Sequence, residues 1–432
     1  MKKFSLIIFC ILIFPLSAFS ATLKEALKQT FDNNLELQAE RKNLEIQKEV
    51  INMSRSDLLP TLTLSGTKNF EETNELTNQS GGDASITDTD TMTSSIKLEQ
   101  TLLDGSGRKT EYEKSKLGLN LTEAKLVKKE QEIFLRAIEA YTGLILAYEK
   151  LNINEENVNL LQRQFELDNA RLSRGQITAS DLAQSQSSLA GAQARYIEAQ
   201  NNIVTSKLNY ENVIGVIAAK ENLKKIYNAN VSIPKNLSEA KKISLQKSPE
   251  LIIAEIEYGQ SELDVKIARS DLSPTAKISL ERTYTDDLSA TYDEREKDVL
   301  QATVSWPFQF GGKNKSNVSK NLQAKGMKRL LLENAQKNNT QSVTSSWSTL
   351  QSSRSFLQAV QSQVKAAEIA TEGISFEYES GSGRSTFDVL QSRSSLINAK
   401  IDLAEAERSY LLSQYRVLKS VGLLNSDYLN LK

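Results

Sequence analysis

A hydroxyl residue followed three positions later by an aspartate occurs at two related places, Thr178-x-x-Asp181 and Ser385-x-x-Asp388. That spacing lets the hydroxyl accept from the aspartate N–H while the carboxylate accepts from the hydroxyl residue's own N–H, the capping box that starts a helix, here with Asp in place of Glu. Each pair follows a glycine-bearing turn, Arg174-Gly175-Gln176 in one case and Ser380-Gly381-Ser382-Gly383-Arg384 in the other. Arg384 stands among these glycines, available either for an ion pair between helices or for solvation. Other chemistry is scarce. The chain has no histidine, which removes the commonest general base and the commonest transition-metal ligand. Neither a glycine-rich nucleophile turn nor a convergent acid cluster replaces it. No catalytic, cofactor or metal site is expected.

The elements that must position these residues follow from the rest of the chain. Lys2 and Lys3 precede an apolar run from Phe4 to Leu16 and the small-residue stretch from Ser17 to Ser20, the pattern of a secretory signal peptide (1–20) cut before Ala21. Cys10, the single cysteine, falls in that run, so the mature chain is expected to hold no disulfide or thiolate metal site. Without Lys2 and Lys3, 51 of the 53 basic residues face 54 acidic ones, a net charge of about −3, and no basic block would hold nucleic acid. Only 6 prolines and 18 glycines punctuate the chain, which implies long elements. Past the leader no run of about 18 apolar residues occurs, so any bilayer crossing must be made by strands.

One passage occurs twice. SRSDLLPTLTLSGTKNF (Ser54 to Phe70) returns as ARSDLSPTAKISLERTY (Ala268 to Tyr284), and Leu23 to Phe70 matches Leu237 to Tyr284 without a gap at an offset of 214. The offset becomes 206 at Gly105 and Gly311, then 207 where Asp181 and Gln184 pair with Asp388 and Gln391. The chain is a tandem duplication, 21–222 and 237–432, joined by a connector at 223–236.

Within each repeat the apolar period switches at a proline. Pro60 and Pro274 each lack an N–H and bias the preceding residue away from helix, so they fix where helix becomes strand. After them the period-two positions are Leu62, Leu64, Gly66, Lys68, Phe70 and Ala276, Ile278, Leu280, Arg282, Tyr284. Returning strands alternate through Met92, Ile96, Leu98, Leu102 and through Leu300, Ala302, Val304, Trp306, Phe308. Strands of about 10 residues or slightly more suit a tilted bilayer crossing. Between them, Glu71 to Asp90 and Thr285 to Lys297 are polar and are expected to be hairpin loops in water. Trp306 and Phe308, beside Phe310, suit either an interfacial aromatic girdle or packing at the strand-to-helix junction.

The remainder carries seven-residue stripes, Leu144, Leu151, Val158, Phe165, Leu172 and their copy ending at Tyr378, which predict helices packed as coiled coil. Packing is the expected role of Tyr378. Helices expected from about Ser106 to Leu172 and from Lys313 to Tyr378 would each run roughly 100 Å; those at Leu23 to Asp57, Ser180 to Gly215, Leu237 to Asp271 and Ser385 to Gly422 would run about half that.

Four strands cannot close a barrel, and lipid does not tolerate an open sheet edge, so several chains must share one barrel. At this point the chain resembles the TolC-like outer-membrane factors of tripartite efflux pumps and type I secretion systems. The resemblance rests on RSDLLPTL and RSDLSPTA, on LLDGSGR and FQFGGKN, and on RGQITASDLAQSQSSL and GRSTFDVLQSRSSL, each pair in the same order. It implies an α+β membrane protein in which three chains form a 12-stranded β-barrel continued by a long α-helical coiled-coil barrel. It further implies a passive duct in the outer membrane, with a large periplasmic portion, docked through a periplasmic adaptor to an inner-membrane transporter. The turns at Arg174, Gly175, Gln176, Gly381 and Gly383 would be adaptor-docking tips. Asp388, Gln391, Arg384, Asp181 and Gln184 would line the periplasmic aperture, Asp388 matching a family aspartate whose three-fold ring favours cations. Where some members carry a second aspartate, this chain has Gln391. A secreted coiled-coil structural protein or adhesin is the alternative, and it would be water-soluble.

Overall fold

The computed structural model describes residues 22–76, 85–215, 223–229, 231–289, 292–308, 310–381 and 383–431. The expected leader, the centre of the first hairpin loop, residues 216–222 and Ser382 lie outside these. The elements are helices α1 (Leu23–Asn33) and α2 (Leu35–Ser56), strands β1 (Thr61–Leu76) and β2 (Ser85–Leu103), and helices α3 (Gly107–Ser173), α4 (Ala179–Val213), α5 (Leu237–Lys247) and α6 (Pro249–Ser270). Strands β3 (Thr275–Ser289) and β4 (Tyr292–Ser305) and helices α7 (Lys313–Glu379) and α8 (Thr386–Ser420) complete them. The halves agree element for element, since each has helices of 11, 22, 67 and 35 residues.

The single helices expected over 23–57 and 237–271 are each broken once. Asn34 is extended (φ −67°, ψ 122°), and its side chain accepts from the Leu37 N–H at 3.2 Å, which caps α2. Ser248 is extended for a different reason: it precedes Pro249, whose ring excludes helical geometry from the residue before it yet suits the first position of α6. The breaks are structurally equivalent, although the residues that cause them differ.

By contact the chain forms two compact units, each drawing on both repeats. One lies within Ala39–Lys128 and Pro249–Asn339, the other within Met1–Gln38, Lys129–Ser248 and Thr340–Lys432. The first holds an antiparallel sheet in the order β1-β2-β3-β4. Its register aligns Leu62, Leu98, Leu280 and Leu300 in one row across the sheet, with Leu64, Ile96 and the ion-paired Arg282 and Asp298 (2.7 Å) in the next. The opposite face carries Thr61, Glu99, Ser279 and Gln301, then Thr63, Lys97, Glu281 and Val299. The leucine row is exposed on this chain, Leu300 at 73%. Each of β1 and β4 has one edge with no strand partner among the described residues.

The strands are longer than the alternation suggested, from 14 residues in β4 to 19 in β2. Glu71–Leu76 and Ser85–Asp90, expected as loop, are strand, as are Thr285–Ser289 and Tyr292–Lys297. A polar sequence does not end the ladder, and backbone pairing continues through these segments. At the other end β4 stops at Ser305, because Pro307 has no N–H to give a ladder. Trp306 therefore leaves the sheet, packs on Phe308 at 4.9 Å between ring centroids, and donates its indole N–H to the Leu272 carbonyl at 3.1 Å. Leu102 loses its phase at a register irregularity between Thr101 and Leu103.

Pro60 and Pro274 each stand one residue before a strand, and each preceding helix end is held from the start of a long helix. Arg108 donates to the Asp57 carbonyl at 2.6 Å, and its repeat counterpart Asn314 donates to the Asp271 carbonyl at 3.0 Å.

The second unit is helical, and its main core joins Phe134, Tyr141 and Leu144 of α3 to Tyr210 of α4 and Leu411 and Leu418 of α8. The Tyr141 hydroxyl donates to the Lys224 carbonyl (2.9 Å) and accepts from its N–H (3.2 Å), while burial pushes the phenol up to about 12. Leu424, Leu429 and Leu431 of the C-terminal segment enter the same core.

Candidate functional site

The two helix hairpins of the second unit end in the turns that the sequence singled out. In the α3–α4 turn, Gly175 has φ +69°, its N–H bonds the Leu172 carbonyl at 2.9 Å and the Gln176 N–H bonds the Arg171 carbonyl at 3.0 Å. This is the Schellman arrangement, whose left-handed position favours glycine. In the α7–α8 turn, Gly381 (φ +76°) and Gly383 (φ +84°) take the left-handed positions, and the Gly381 N–H bonds the Tyr378 carbonyl at 3.3 Å.

Each return helix starts in a capping box. The Asp181 N–H bonds Thr178 Oγ1 at 3.2 Å while Asp181 Oδ2 accepts from the Thr178 N–H at 2.9 Å; at Ser385 and Asp388 the corresponding distances are 3.2 and 2.9 Å. In each box the capping residue's N–H and then its hydroxyl hold the aspartate below its ordinary range, with Arg384 adding a smaller pull on Asp388. Both carboxylates are therefore ionised at neutral pH. Gln184 and Gln391 lie one turn further in, both exposed. Arg384 reaches back over its own turn to Glu377 Oε2 at 2.6 Å, tying α7 to the start of α8.

Behind the tips lies a polar knot that the sequence did not reveal. Asp168 of α3 has none of its surface exposed. Its carboxylate accepts from the Ser185 hydroxyl of α4, from Gln164 Nε2 at 3.0 Å and from the Tyr378 hydroxyl of α7 at 3.0 Å. The Tyr378 hydroxyl also lies 3.0 Å from Thr386 Oγ1 of α8, and the Arg171 guanidinium covers its ring at 4.3 Å. Arg393 of α8 donates to Gln164 Oε1 at 3.2 Å. Three helices meet at one buried carboxylate and α8 joins them through Thr386 and Arg393, so the knot ties both hairpins. Tyr378 is thus a tie between hairpins as well as a packing residue. A signal was available, because Asp168 lies three residues after Phe165 and four before Leu172, a seam position where a coiled coil expects an apolar side chain.

A four-stranded sheet with an exposed leucine row and two edges unpaired among the described residues, joined to helix hairpins of 67 and 35 residues, defines an outer-membrane channel subunit of the TolC-like kind. A family model described as "Outer membrane efflux protein" matches residues 26–216 and 242–423, and the chain belongs to that family. It is an outer-membrane exit duct. Among its relatives, the outer membrane efflux protein BepC of Brucella suis is 25% identical over 418 residues, covering 96% of this chain and 88% of BepC. The alkaline protease secretion protein AprF of Pseudomonas aeruginosa is 23% identical and covers 96% of this chain and 87% of its own. The crystal structure of the Campylobacter jejuni CmeC outer membrane channel shares the fold with a TM-score of 0.81 at 16% identity, covering 93% of this chain and 86% of that one.

Proposed function

We propose that three copies of this chain close one barrel in the outer membrane and that the hairpin tips of its helical unit form the gate and the docking surface for a periplasmic adaptor, which joins the duct to an inner-membrane transporter. The carrying observation is the sheet: four strands, an exposed leucine row on one face, a charged and hydroxyl-rich opposite face, and two unpaired edges. Such a sheet is compatible with hydrocarbon only when other copies complete its ladder. Twelve strands from three chains lie within the range of known barrels.

In this arrangement transport is passive and the work of the duct is steric and electrostatic. Asp388 is the aperture residue: three copies around an axis make a carboxylate ring that admits cations in preference to anions. Asp181 repeats the same box on the neighbouring hairpin, and Gln391 leaves the ring single. Arg174, Gly175, Gln176, Gly381 and Gly383 present the turns to the adaptor. BepC is named for efflux and AprF for protease secretion, so the partner transporter sets the cargo.

Single-channel conductance in planar bilayers tests this assignment. The wild-type trimer is expected to conduct with a cation preference and Asp388→Asn to lose that preference, as read from reversal potentials in a salt gradient. Well-folded protein that does not conduct would overturn the duct, and an unchanged preference in Asp388→Asn would remove Asp388 from the aperture.

A further inference from the structure

A polar cavity of about 220 Å³ opens between α3, α4 and α8. Its lining brings together Arg195 of α4 and Arg393 of α8 with the hydroxyls of Ser187, Ser188 and Ser394, and contains no acidic side chain. Of the five N–H donors of the Arg393 guanidinium, one is used on the neutral amide of Gln164. Arg195 forms no ion pair among the described residues. The acids whose charge Arg393 senses, Glu379 and Asp168, lie outside the lining.

Arg393 is half-buried and has lost part of its hydration, while the exposed Arg195 borders the same cavity from the other hairpin. An anion with several acceptor oxygens replaces the hydration that Arg393 has lost, because a guanidinium fork bonds two oxygens at once and the serine hydroxyls donate to the rest. We propose that this cavity binds a small oxyanion, with inorganic phosphate and sulfate as its simplest ligands, bridging Arg195 on one hairpin to Arg393 on the other. Through Gln164, Arg393 is one hydrogen bond away from the Asp168 knot, so the bound anion sits where it stiffens the contact between hairpins. The site is separate from the aperture and its occupancy does not depend on conduction.

Gly191 makes the test clean. It lines the cavity, a Cβ there meets nothing within 4 Å, and it lies inside a helix where most residues are better helix formers than glycine. Gly191→Met fills the space without a folding penalty, and exposed Arg195 tolerates Arg195→Gln. Equilibrium dialysis of radiolabelled phosphate against the purified full-length protein in detergent is expected to show one saturable site per chain. Sulfate should displace the label, while chloride at equal ionic strength should not. Arg195→Gln, Arg393→Gln and Gly191→Met should each weaken binding at least tenfold. The absence of saturable binding, equal displacement by chloride, or unchanged binding in both Arg195→Gln and Gly191→Met overturns the site, whether or not Arg393→Gln folds.

Discussion

A carboxylate with no exposed surface survives in a helical core only if donors replace the water it has lost, and Asp168 has three of them on three helices. Removing one is costly, since a buried acceptor left short of a partner costs about 1–3 kcal/mol. Tyr378→Phe is therefore expected to destabilise the fold by about 1–3 kcal/mol, read as a lower thermal midpoint. Because the knot ties the two hairpins behind the tips, Tyr378→Phe should also raise the fraction of time the channel conducts, which single-channel recording reads directly. Charge works differently at Glu36, where the Arg136 guanidinium (2.8 Å) and then Lys129 hold the carboxyl at about 2, below its ordinary 4.5. A depressed acid contributes stability in full above its ordinary value and loses it as pH falls through the folded one. Glu36→Gln should thus lower the melting temperature at pH 7 and have progressively less effect as pH falls toward 2. The glutamate side chain is 46% exposed, so the difference at pH 7 is under about 1 kcal/mol. The capping aspartates were legible in the sequence because a box is a local spacing. Asp168 and Tyr378 were not, because 210 residues separate them and only packing brings them together.

Helix ends make a similar distinction one level up. The equivalent glycines Gly215 and Gly422 follow α4 and α8, both at positive φ, +110° and +84°. At Gly422 a Cβ would lie 2.1 Å from the Lys247 carbonyl oxygen, a backbone atom that cannot turn aside; at Gly215 the nearest atom, 3.0 Å away, is the amide nitrogen of the flexible Gln29 side chain. Gly422→Ala is therefore expected to cost about 3 kcal/mol and Gly215→Ala about 1 kcal/mol, the usual range for a strained left-handed residue. Thermal unfolding of the two variants in one detergent checks the order, and equal losses would mean that the close approach at Gly422 relaxes freely. The duplication, the helices, the strand pairs and the proline junctions could all be read in advance, because each is set by periodicity or by a residue that forbids an alternative. The helix break at Ser248 was legible in principle from Pro249. At Asn34 the same break needs a side-chain bond that composition does not reveal, and strand length was underestimated because pairing persists after the apolar face ends.

At the scale of the assembled duct the question is which sheet face meets lipid. The row of Leu62, Leu98, Leu280 and Leu300 has no cover within the chain, and Val304 further along β4 is equally exposed at 73%. Residue 301 points the other way, level with Ser279 and Glu99 on a face that carries Lys97, Lys277 and Glu281. Neighbouring positions of one strand thus report on opposite sides of the barrel wall. Leu300→Arg places a guanidinium in hydrocarbon, which costs about 2–4 kcal/mol near the bilayer midplane, whereas Gln301→Arg adds one to an aqueous lumen at almost no cost. Because the edges of β1 and β4 can be satisfied only by other copies, the cost is paid three times per assembly. Leu300→Arg should therefore deplete the trimer recovered by detergent from outer membranes, while Gln301→Arg should leave its amount unchanged and shift its conductance. The reverse pattern would turn the sheet inside out. Full tolerance of both, with a folded single chain recovered in aqueous buffer, would remove the sheet from the membrane and favour a secreted coiled-coil protein.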